Sequence, residues 1–63
     1  MRKAFTMITI PPVLLQKYQL KDIERTAIEQ FKKINPCVLY VDSYFTADID
    51  TDIFIVVILY KIL

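Results

Sequence analysis

The chain closes on Ile53-Phe54-Ile55-Val56-Val57-Ile58-Leu59-Tyr60, an unbroken apolar run stopped by Lys61, and no other segment constrains the fold as tightly. A membrane-spanning helix needs about 20 apolar residues, so the run is too short to cross a bilayer. Isoleucine or valine stands at 53, 55, 56, 57 and 58. These β-branched side chains are stiff at χ1 and suit a pleated surface, which makes the run a strand. A strand that is apolar at every position is buried on both faces. The run therefore predicts a central strand with a neighbour on each edge.

The neighbours are legible on either side of a helix. Lys3–Ile10, KAFTMITI, alternates loosely and reads as a strand that stops at Pro11-Pro12. Between Leu20 and Ile34, Leu20, Ile23, Ala27, Phe31 and Ile34 recur at spacings of three and four, one apolar stripe of a helix. Asp22 and Glu24 near its start and Lys32-Lys33 near its end match the helix dipole, and Arg25–Glu29 and Glu29–Lys33 are spaced as i,i+4 pairs. Asn35-Pro36 ends it, because the residue before proline avoids helical geometry. Propensity leaves open whether the helix reaches back through VLLQKYQ to Pro12. Next, CVLYVDSYFT alternates, with Cys37, Leu39, Val41, Ser43 and Phe45 on one face and Val38, Tyr40, Asp42 and Tyr44 on the other. A polar ADIDTD turn joins it to the last run as an antiparallel hairpin. The expected fold is α+β: a single β-α-β-β domain over residues 1–63, the C-terminal strand central in a three-stranded sheet and one helix on one face. A right-handed crossover that skips one strand position leaves the central place for the last strand.

Size then sets a requirement. A chain of 63 residues buries only about 60% of its unfolded surface, so its own core is marginal. One cysteine allows no internal disulfide, and the absence of histidine removes the commonest transition-metal ligand and general base. Association with another chain is the support that remains. Eight basic against seven acidic residues give no general pull toward nucleic acid or anionic lipid. The N-terminus does not fit a secretory signal, since Pro11-Pro12 interrupts it and no small-residue cleavage site follows. A single thiol fits a reducing cytoplasm. With no glycine, glycine-rich phosphate loops are excluded.

One helix covers one face of the sheet and leaves the other bare. That bare face carries either Ile53, Ile55, Val57 and Leu59 or Phe54, Val56, Ile58 and Tyr60. Burying four such side chains is worth roughly 6–12 kcal/mol, comparable with the whole stability of a domain, and a symmetric dimer lets the patch cover itself. The interface expected from the sequence is Tyr40, Tyr44, Phe54, Val56, Ile58 and Tyr60.

Three constellations invite sharper readings. Asp48, Asp50 and Asp52 begin like a calcium loop, but the sixth loop position lacks glycine and the twelfth falls on Leu59 where a glutamate belongs. Charges that keep an adhesive strand from aggregating are the better account. Cys37 has no histidine to activate it and is expected to be structural on the core face. Tyr40, Tyr44 and Tyr60 could stack on bases, yet Asp42 lies between two of them and only Lys61 adds positive charge on the last strand, so contact with another chain is the better use, tyrosine being favoured at protein interfaces. No residue set makes a catalytic group, and no metal or cofactor is expected.

The segment from Asp22 to Lys61 resembles the very small sporulation-protein-like proteins of Gram-positive bacteria and their phages. The resemblance rests on Asp22-Ile23-Glu24, a helix ending near Phe31, Val41-Asp42-Ser43-Tyr44, an acidic loop and Ile58-Leu59-Tyr60-Lys61. It departs at the end, where Lys61 replaces an acid and Ile62-Leu63 extend the strand, and in the helix, where the match slips by a residue unless Ala27 takes a usual isoleucine position. The resemblance implies a βαββ unit of mobile elements with no assigned catalytic residues. The functional expectation is a non-enzymatic, oligomeric interaction protein, phage-encoded, that binds and modulates a host protein. A nucleic-acid-binding regulator and an oligomeric small-molecule binder are the alternatives.

Overall fold

A computed structural model describes residues 2–63. In chain order the elements are β1 (Arg2–Ile10), α1 (Pro12–Lys17), α2 (Leu20–Ile34), β2 (Val38–Asp48) and β3 (Ile53–Ile62). The sheet is three-stranded in the order β1-β3-β2, and β3 pairs antiparallel with both neighbours. The all-apolar strand is thus the central one, and the α+β class follows. Among the described residues no helix is long and apolar enough to cross a membrane.

Proline sets the start of the helical layer. Pro12 occupies the first turn of α1, where a missing N–H costs nothing and a fixed φ favours the helix. The helical stretch is then broken: Tyr18 is extended at φ −130°, ψ 155°, and Gln19 at φ −76°, ψ 151°. The backbone N–H groups of Asp22 and Ile23 both donate to the Gln19 carbonyl at 3.1 Å, which starts α2 without a side-chain cap. At the other end Asn35 donates to the Phe31 carbonyl through its backbone N–H at 2.9 Å and its side-chain Nδ2 at 3.1 Å.

The expected stripe on α2 holds in its middle and fails at its ends. Ile23 and Phe31 are buried and Ala27 and Ile28 partly so, whereas Leu20 and Ile34 are exposed. Terminal residues have helix turns on one side only, so fewer atoms shelter them. The expected pairs Arg25–Glu29 and Glu29–Lys33 are not formed among the described residues. Arg25 Nη2 instead meets Asp22 Oδ1 at 2.8 Å, an exposed contact that contributes little in water.

The helix layer lies against Ile8 and Ile10 of β1 and Phe54, Val56, Ile58 and Tyr60 of β3, with Val56 and Ile58 fully buried. Phe31 of α2 stacks at a tilt on Tyr60, ring centres 4.8 Å apart.

A β-bulge corrects the alternation expected for β2. Tyr40 opposes Tyr60 and Asp42 opposes Leu59, so Val41 is the extra residue. In-register partners share a face. Val38, Tyr40, Ser43 and Phe45 therefore face the helices, and Leu39, Asp42 and Tyr44 the opposite side. Cys37, expected in the core, precedes the strand and is exposed.

The β2–β3 turn spans residues 49–52. Its last residue, Asp52, has φ 56°, a left-handed position that falls to aspartate in a chain without glycine. Its N–H donates to the Asp48 carbonyl at 2.7 Å, while Asp48 Oδ1 accepts the N–H of Asp50 at 3.0 Å.

Candidate interaction surfaces

Three features of the fold bear on function: the bare sheet face, a groove beside β1 and a polar tie under α2. The bare face is built from the odd-numbered residues of β1 and β3. Phe5 opposes Leu59, Met7 opposes Val57, Thr9 opposes Ile55 and Lys3 opposes Lys61. On the other flank Tyr44 opposes Val57 and Asp42 opposes Leu59. Phe5 is 63% exposed, Met7 60% and Tyr44 50%, whereas Val57 between Met7 and Tyr44 is 4% exposed. Val57 is thus sheltered by its two cross-strand neighbours although, among the described residues, no helix lies over it. The helix-side core cluster does not include it.

Most of the expected interface is relocated by this geometry. Tyr40, Phe54, Val56, Ile58 and Tyr60 lie on the helix side and belong to or pack against the core; Tyr44 alone is on the bare face. The second of the two possible sets, Ile53, Ile55, Val57 and Leu59, faces outward. Sequence parity could not choose, because both sets are apolar.

Charge is unevenly placed along this face. Lys3 and Lys61 are paired at one end of the sheet. Asp48, opposite Ile53, and the turn residues Asp50 and Asp52 lie at the other. Asp42 near the basic end is engaged with its own strand, accepting the Ser43 N–H at 2.8 Å. Among the described residues, no group of three or more acidic or thiol side chains is arranged to hold a metal ion; the turn uses Asp48 to fix its backbone.

The groove was not anticipated from the sequence. It has a volume of about 510 Å³ and runs between the Ile8–Ile10 end of β1 with Pro11, Leu14 of α1 with Tyr18 beyond it, and Ile23, Thr26, Ala27 and Gln30 of α2. It exists because the two helical segments are separate and α2 packs over β2 and β3. The only hint in the sequence was Leu14, an apolar residue soon after Pro12 that lines the groove. Among the described residues, none that carries a charge lines it.

The tie joins helix to sheet. Ser43 Oγ donates to Glu24 Oε2 at 2.7 Å. Its single proton is then committed, so the Tyr40 hydroxyl, 3.1 Å away, donates to Ser43 Oγ. Lys32 Nζ sits 5.1 Å above the Tyr40 ring centre, within cation–π range. The arrangement secures α2 to β2. A serine at an otherwise apolar position of β2 was the visible hint.

Comparison with family models, curated proteins and solved structures yields no match to this chain.

Proposed function

We propose that the chain is a non-enzymatic interaction protein that assembles as a homodimer through its bare sheet face and engages a second, host protein. One observation carries the reading: Phe5, Met7 and Tyr44 stand half or more exposed around Val57 on a sheet face that no helix covers. Three strands about 4.8 Å apart and some nine residues of about 3.3 Å each give a projected face of roughly 430 Å². Two such faces, with side-chain relief, reach the ~1,000 Å² total at which a specific interface begins.

Charge selects the arrangement. A two-fold axis along the strands sets Lys3 and Lys61 against their own copies, whereas an axis across the strands sets them against the Asp48, Asp50 and Asp52 end of the partner protomer. The second arrangement is electrostatically complementary. It places the row Met7–Val57–Tyr44 on the symmetry axis, because Val57 is the middle of the outward-facing residues of β3. The acids at one end also argue against a nucleic-acid-binding face, which needs a continuous basic surface. The phage setting belongs to the same proposal and rests on the resemblance over Asp22 to Lys61.

Sedimentation velocity at micromolar concentration tests the assembly. A dimer is expected; a compact monomer at that concentration removes it. If the purified protein bound oligonucleotides tightly, with an affinity falling steeply between about 50 and 200 mM salt, the reading would give way to a nucleic-acid-binding regulator.

A further inference from the structure

The two edges of the sheet differ in how open they are to another strand. β2 is interrupted by the Val41 bulge and carries Asp42 and Asp48, devices that twist or charge an edge against pairing. β1 has none of these over Ala4–Ile10. It runs in unbroken register with β3 from Arg2 to Ile10, contains no proline and no acid, and has no second strand neighbour among the described residues. Alternate backbone N–H and C=O groups of β1 therefore point outward with no ladder to join.

The groove lies on the helix side of this same strand, floored by Ile8 and Ile10. A chain paired to the edge of β1 would place every second side chain on that side of the sheet. We propose that β1 and the groove together receive an extended segment of the partner protein as a fourth strand, its inward side chains seated between β1 and α2. Strand addition of this kind draws affinity from main-chain hydrogen bonds and specificity from the pockets that take alternate side chains.

The chemistry of the segment follows from the lining. With no charged residue in the groove, the inward side chains are small and apolar, of valine or isoleucine size. Arg2 and Lys3 are exposed at the start of β1, so the end of the segment beside them is acidic. Antiparallel pairing, slightly the more stable, makes this the C-terminal end. The inference rests on the reading of the chain as an interaction protein and is independent of whether it dimerises.

The test uses a synthetic peptide of about eight residues, valine alternating with threonine and closing on two aspartates, added to the isotope-labelled full chain. Amide shifts and hydrogen exchange are read by NMR. A companion peptide is N-methylated at alternate residues, so that it keeps its side chains and cannot pair. The expected result is saturable binding with slowed exchange at alternate amides of β1, none with the N-methylated peptide, and a tenfold or greater loss of affinity in Thr26→Glu, which sets a charge at the groove. Thr26 is exposed, so that variant keeps its fold. Equal binding of the N-methylated peptide overturns the proposal in favour of an apolar small-molecule site, and protection along β2, or no binding at millimolar peptide, overturns it outright. A chain that binds the peptide but sediments as a monomer separates failure of the dimer from failure of the strand site.

Discussion

Phe5→Thr separates folding from assembly. Phe5 is on the bare face of an outer strand and keeps 63% of its surface in water, so the protomer depends on it little, and threonine is itself a good strand former. Fully burying a phenylalanine is worth about 1.5–3 kcal/mol. Since nearly two thirds of the side chain remains to be buried on docking, each protomer forfeits about 1–2 kcal/mol and the dimer about 2–4 kcal/mol. That is a rise of roughly 30- to 1,000-fold in the dimer dissociation constant. Sedimentation velocity over a dilution series reads the constant, with circular dichroism to confirm the fold. Tyr18→Thr is the control: Tyr18 is similarly exposed, at 57%, but lines the groove, and its loss leaves assembly unchanged. If Phe5→Thr and the parent chain show the same dissociation constant, the bare face is not the contact and the geometric reasoning fails.

Ile58→Ala removes a fully buried side chain from the central strand and is expected to lower stability by about 2–5 kcal/mol in urea unfolding; a change below about 1 kcal/mol would mean that the core is loosely packed. Ser43→Ala leaves Glu24 and Tyr40 without their shared partner and is expected to reduce stability by roughly 1–2 kcal/mol, with no comparable effect in Ser43→Ala when Glu24 is already alanine. Deleting Val41 removes only the bulge and keeps the rest of β2 on its present faces, so chemical shifts of Ser43 to Phe45 should survive and the deletion should cost less than Ile58→Ala; collapse of the sheet would show that the bulge is required.

The central place of β3 was readable because no polar residue interrupts Ile53–Tyr60, and a strand with no polar side has no face to turn to water. The helix over Leu20–Ile34 was readable for a complementary reason: its apolar stripe and its charge order agree, and Pro36 closes it. Other features left little trace. Val41 carries no glycine or polar signature, so strict alternation put Tyr40 and Tyr44 on one face when the bulge sends them to opposite ones. The burial expected of Cys37 followed from that same alternation. The break at Tyr18-Gln19 has neither proline nor glycine to announce it, and the groove that it helps to form is therefore a product of packing.

Sequence alone determined a three-stranded sheet with an all-apolar central strand and a helix over Leu20–Ile34, because periodicity and proline are local properties that act wherever the segment is placed. Which parity of β3 faces the helices, where β2 slips by a residue and which edge stays open were settled by packing in three dimensions. The two faces of an all-apolar strand are equivalent until a neighbour occupies one of them, and Phe31 against Tyr60, with Glu24 tied to Ser43, is how α2 made that choice.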